Sequence, residues 1–155
     1  GHDLGIDRVW RNIPDVPPPN ECPRRQPTSE SGYSFTDQAD IRLAGQKSGE
    51  PVVCYWAKLN RGVASSTVGL IALADLIPSG MRVSLDKGFR GSSLDHAVRI
   101  ASTDLSDWVL IRIEADAVRN SVGHGRVEIY SEAGSLLATG SQSFAISAIT
   151  GPLDR

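Results

Sequence analysis

Apolar and polar positions change period several times along the chain, and each change predicts an element. Glu50 to Leu59 alternates as a strand, with Val53, Tyr55 and Ala57 on one side and Val52, Cys54 and Trp56 on the other. Ser65, Ser66 and Thr67 then offer capping hydroxyls before an apolar stretch, Val68 to Leu76, which Pro78 and Gly80 are expected to end. Apolar side chains surround that stretch on every side, which predicts a buried helix. Four strand-like segments follow: Ser93 to Ala101, Trp108 to Ala117, Val122 to Tyr130 and Leu136 to Ile146. In the second, Val109, Ile111, Ile113, Ala115 and Ala117 alternate with Arg112, Glu114 and Asp116. Short turns such as Ser131-Glu132-Ala133-Gly134 favour antiparallel neighbours, since parallel crossovers need about a dozen residues. With a β-rich region opening near Tyr33, the order β-β-α-β-β-β-β predicts an α+β fold, a curved antiparallel sheet wrapped around one long buried helix.

The segment Asn12 to Ser31 carries six of the nine prolines and few large apolar residues. Fixed φ angles and extended predecessors make it a polyproline-like connector leading into a domain. The expected division is a Pro-rich linker over 1–31, one domain over 32–150 and a tail over 151–155. The chain opens with Gly1 and His2, a pair typical of a cloning or cleavage remnant, and its sole methionine is Met81. A piece of something longer is therefore expected.

Composition narrows the function classes. A chain of 155 residues, 40% hydrophobic, has apolar surface for one core and is not a disordered segment. A net charge of −2 leaves no basic face, so no nucleic-acid partner is expected. The longest apolar run, Val68 to Ala74, falls far short of the roughly 20 residues of a membrane helix, so no membrane span is expected. Neither Cys nor His spacing resembles a metal site, and no cofactor is expected. Cys22 and Cys54 could pair, though nothing in the sequence supports a bridge. Without a signal peptide or glycosylation sequon, a cytoplasmic location is expected.

Candidate chemistry sits where the pattern breaks. Asp75 lies on the predicted helix in line with Val68, Ile71 and Ala72. It is either a carboxylate taken into the core or a residue of a frayed last turn reaching solvent. Gln142 interrupts the row Leu136, Ala138, Gly140, Phe144 and Ile146, and its amide must find partners there, whether structural or functional. Ser93 is an ordinary turn residue or the member of a strand that a bulge re-aims, because strict alternation groups it with Asp95 and Arg99. Two attractive motifs fail. Asp95 and His96 beside Ser92 and Ser93 suggest a serine triad, but adjacent strand residues face opposite ways. Gly123-His124-Gly125 lies in a strand and precedes no helix, so it cradles no phosphate.

Taken in order, several short motifs resemble one family. Tyr55-Trp56-Ala57-Lys58, Leu73-Ala74-Asp75 and Ser93-Leu94-Asp95-His96 come first. The Trp108 strand, Gly125-Arg126, Tyr130-Ser131-Glu132-Ala133-Gly134 and Leu136 to Gln142 (LLATGSQ) follow. Over about Ser34 to Ile146 the chain resembles the C-terminal hotdog domain of the acyl-CoA thioesterase II family, and Pro17 to Pro23 resembles the connector between its two hotdogs. The resemblance implies hydrolysis of acyl-CoA to free fatty acid and CoA, in lipid metabolism. An Asp, a Thr or Ser, and a Gln orient a water in that family, and they fall here on Asp75, Ser93 and Gln142. Backbone N–H groups of Ser66, Thr67 and Val68 are the expected oxyanion donors. The implied partners are the acyl-CoA substrate and a second hotdog, as an upstream half or another copy in a dimer. The alternative is a non-catalytic acyl-thioester-binding or structural subunit. A hotdog dehydratase is a third reading, but neither His96 nor His124 sits in a segment resembling that chemistry.

Overall fold

The computed structural model describes residues 4–25, 39–46, 49–59, 66–104 and 106–148. The sheet contains β1 (Ala39–Gln46), β2 (Val52–Leu59), β3 (Arg90–Ile100), β4 (Val109–Arg119), β5 (Val122–Ser131) and β6 (Leu136–Ser147). Two consecutive helices, α1 (Thr67–Ala74) and α2 (Ile77–Leu85), connect β2 to β3. Strand order is β1-β2-β4-β5-β6-β3, and every adjacent pair is antiparallel. The expected neighbours β4, β5 and β6 do pair in sequence. By contrast, β3 does not pair with β4; the helices carry the chain across the sheet, and β3 joins β6 at the far edge. Ser65, the region around Tyr33 and the tail 151–155 lie outside the described residues.

The alternation on β2 sorts its side chains as the sequence predicts. Val53, Tyr55 and Ala57 join Leu70, Leu73, Ile77, Ile111, Ile113 and Phe144 in the main core between sheet and helices. Cys54 and Trp56 face the other way, into a smaller cluster with Cys22, Leu110 and Tyr130. The Pro-rich segment covers that outer cluster. Trp56 Nε1 donates to the Pro17 carbonyl at 2.8 Å, and Arg42 Nη1 donates to the Pro19 carbonyl at 2.8 Å. Backbone bonds from Arg25 N–H to Ile41 O and from Leu43 N–H to Pro23 O lay the segment along the free edge of β1. An edge strand is thereby paired and shielded. Cys22 and Cys54 are both buried and both free thiols.

The helical region departs from expectation in two ways. Pro78 and Gly80 do not end it. After a tight turn at Asp75 and Leu76, Pro78 occupies the first turn of α2, where a missing N–H breaks no helical bond. Gly80 lets α2 lie close on the sheet, because a Cβ there would stand 2.6 Å from Ile113 Cγ2. Nor is the helix buried all round. Gly69, Leu70, Leu73 and Ala74 face the core, whereas Val68 is 69% and Ile71 45% exposed. Apolarity on two faces requires two covers, and the described residues supply one. The two helices together run 19 residues at a mean hydropathy of 1.4, long and apolar enough to cross a membrane. Half of that window is buried within the protein, so core packing accounts for much of its apolarity.

The register shifts in four of the strand pairs, and two of these shifts change what the sequence pattern predicts. On β4 the register shifts between Ala115 and Ala117, so Ala117 leaves the core row expected of it and is exposed. On β3 the shift falls between Ser93 and Asp95. The second bulge shapes the site.

Candidate active site

Gln142 is the anchor. The alternation of β6 turns it inward between Gly140 and Phe144, where it is 1% exposed. Ser93 reaches it through the β3 bulge. Ser93 pairs with Phe144 and Asp95 with Ser143, so Leu94 is the extra residue. Without the bulge, Ser93 would share a face with Asp95; with it, Ser93 shares the inner face of Gln142. Asp75 arrives from the helix junction, where it caps α1 at φ −76°, ψ 8°. The turn that ends α1 restarts the backbone as α2, which sets the positive end of the second helix beside a carboxylate otherwise at the negative end of the first.

These three side chains meet. Gln142 Nε2 donates to Asp75 Oδ1 at 2.5 Å and to Ser93 Oγ at 2.8 Å. The two acceptors fix the amide orientation, since the flipped form would set its oxygen against a carboxylate. Gln142 Oε1 is buried without a hydrogen-bond partner among the described residues. Asp75 and Ser93 are themselves exposed in the single chain. Because Ser93 accepts from Gln142, its own proton is free to donate outward. Asp75 keeps its second oxygen, Oδ2, free of any protein bond among the described residues.

The remaining expected residues lie elsewhere. Ser66 caps α1, its Oγ accepting from Gly69 N–H at 3.1 Å. It stands with Thr67 and Val68 at the start of an eight-residue helix, whereas Asp75 follows its end. At 1.5 Å per residue the separation is about 12 Å, so one chain does not bring those amides to the carboxylate. Asp95 and His96 part company as the strand dictates. His96 pairs with Gln142 across the strands, on the inner face. Asp95 faces outward, where hydrogen bonds from Ser143 hold its carboxyl below the usual range. His124 Nδ1 also meets Ser143 Oγ, at 3.1 Å. There the serine stands between acid and imidazole, an order that cannot relay a proton from serine through histidine to acid.

The family model for the acyl-CoA thioesterase C-terminal domain matches residues 13–146. The chain belongs to the acyl-CoA thioesterase C-terminal domain family. No curated protein matches it. Among solved structures it is similar to a candidate thioesterase from Novosphingobium aromaticivorans, at 26% identity and a TM-score of 0.81, covering 96% of this chain and 59% of that one. It is also similar to a protein of unknown function with a hotdog fold from Alicyclobacillus acidocaldarius, at 18% identity and a TM-score of 0.82, over 96% and 60% of the two chains. A third is the acyl-CoA thioesterase II TesB2 of Mycobacterium marinum, at 18% identity and a TM-score of 0.71, over 97% and 60%. The thioesterase domain therefore has the hotdog fold, and it spans about three fifths of the length of these structures.

Proposed function

We propose that this thioesterase domain hydrolyses acyl-CoA thioesters to free fatty acid and CoA, with Asp75, Ser93 and Gln142 orienting the attacking water. One observation carries the reading: a single buried amide donates at once to a carboxylate and a hydroxyl. Such an amide holds both groups in one geometry, so the water they share meets the carbonyl without searching orientations. Asp75 Oδ2 accepts the water proton while the new C–O bond forms, acting as general base. The C–S bond then breaks, and the proton passes to the departing thiolate. Products are a carboxylic acid and a thiol, with atoms balanced and no covalent enzyme intermediate.

A second hotdog completes the site in this reading. Val68 and Ile71 on α1 and Leu94 on β3 are exposed near Asp75 and Ser93, and β3 has no partner on its outer edge among the described residues. Pairing along that edge would bury these side chains, exclude water from the thioester and give α1 the second cover its sequence is written for. The test is hydrolysis of an acyl-CoA panel by wild type and by Asp75→Asn, which keeps shape and removes the base. The variant is expected to lose about 10²–10⁴-fold in rate. Equal rates would take Asp75 out of the reaction, and wild-type binding of acyl-CoA without turnover would make the chain a binding subunit.

A further inference from the structure

We propose that Arg25 and Arg82 form the site that holds the phosphates of the CoA moiety; the assignment rests on the thioesterase reading above. Arg25 Nη1 donates to Ser79 Oγ at 2.7 Å, bringing its guanidinium from beside β1 onto α2. Ser79 is buried, and Arg82 follows it by three residues, on the same helix face. Arg82 spends one donor, Nε, on the Phe89 carbonyl at 2.8 Å, and its guanidinium lies 4.9 Å from the centre of the Phe89 ring. Its two Nη groups carry no hydrogen bond among the described residues. Burial and the like charge of Arg25 both make the proton of Arg82 easier to lose than usual.

The two guanidiniums thus stand together, half-buried, and neither has a carboxylate partner among the described residues. That sets them apart from Arg24, Arg42, Arg112 and Arg126, each paired with an acid. Two cations drawn from water without a counter-charge weaken a fold, and a phosphate oxyanion removes that penalty through forked, charge-assisted hydrogen bonds. Position agrees with chemistry. Asp75 immediately precedes the Leu76 cap of α2 and Arg82 lies six residues past that cap, so the arginine pair stands within about two helical turns of the carboxylate. With the thioester carbonyl at Asp75, a pantetheine arm running past the start of α2 carries its phosphates toward the arginine pair.

A second cationic feature fits less well. A groove of about 220 Å³ on the outer face of the sheet is lined by Arg11, Arg99 and Arg126. Arg11 already faces Glu128 and Arg126 faces Asp116, and the whole sheet separates that groove from Gln142.

The test compares one acyl group on CoA and on pantetheine, which lacks the phosphates, using the whole chain. Arg25→Gln and Arg82→Gln are each expected to raise KM for acyl-CoA about tenfold, the equivalent of about 1.4 kcal/mol, with kcat within twofold. Both should leave acyl-pantetheine kinetics unchanged, and Arg82→Lys should recover part of the loss. Titration with 3′,5′-ADP should weaken in step. Equal KM changes on the two substrates, unchanged KM for acyl-CoA, or inorganic phosphate binding as tightly as 3′,5′-ADP would overturn the assignment. Should Arg82→Gln fail to fold, Arg25→Gln decides, since among the described residues its side chain has only the Ser79 bond to lose. If wild type hydrolyses neither thioester, the thioesterase reading fails, and the 3′,5′-ADP titration still judges the arginine pair by itself.

Discussion

Replacing Gln142 with leucine separates a structural glutamine from a functional one. The change removes a hydrogen bond to a carboxylate, about 1.5–3 kcal/mol, and one to a hydroxyl, about 0.5–1.5 kcal/mol. Against this, it also removes Oε1, a buried carbonyl with no partner among the described residues, whose desolvation costs about 1–3 kcal/mol. A leucine adds further apolar surface to the Phe144 side of the core, at about 0.8 kcal/mol per methylene. Asp75 and Ser93 are exposed and regain water when the amide goes. These opposing effects nearly cancel, so stability is expected to change by no more than about 1 kcal/mol, or roughly 2–4 °C in midpoint. Activity has no such compensation. Freed from the amide, the carboxylate and hydroxyl lose their shared geometry, and a misplacement of about 1 Å costs on the order of 10²-fold in rate. Urea unfolding and thioester hydrolysis of the same preparation give both numbers. A variant that loses more than about 3 kcal/mol yet keeps wild-type kcat would refute this reasoning and make Gln142 a piece of scaffold.

Two further outcomes follow from the packing and the charges. Gly80→Ala places a methyl 2.6 Å from Ile113 Cγ2, so overpacking of about 1–3 kcal/mol should outweigh the gain of about 1 kcal/mol in helix propensity, and urea midpoints should fall. Hydrogen bonds from Arg42, Ser143 and Arg112 hold the carboxyls of Asp40, Asp95 and Glu114 below their ordinary values. Each contributes stability that is present above its unfolded pKa and lost as pH falls through the folded one, so thermal midpoints should decline below about pH 4. A midpoint flat from pH 6 to 3 would contradict those pairings.

Much of the fold is legible in the residues because period-2 alternation is a local property. It identifies β2 and both of its faces, β4 as far as Ala115, and the last two strands. The helix start at Ser66 is local too, since a hydroxyl and the next turn suffice for a cap. The end is not. Whether Pro78 stops a helix or opens another depends on the turn at Asp75 and Leu76 and on the Gly80–Ile113 approach, which no window of sequence contains. Ser93 shows the same limit. Its alternation grouped it with Asp95 unless a bulge intervened, and only the pairing of β3 with β6 decides that one does.

What the sequence alone determined was therefore the element order, the inward row of β6 with its one amide, and a carboxylate on an apolar helix. Those are consequences of side-chain period along a single segment. Tertiary structure decided that the helix is two helices, that β3 sits beside β6, and that Asp75, Ser93 and Gln142 touch. It also decided that Arg25 and Arg82 lie together, 57 residues apart in the chain. Such meetings depend on which strands pair and where a register slips by one, and the free energy that selects among pairings belongs to the whole core.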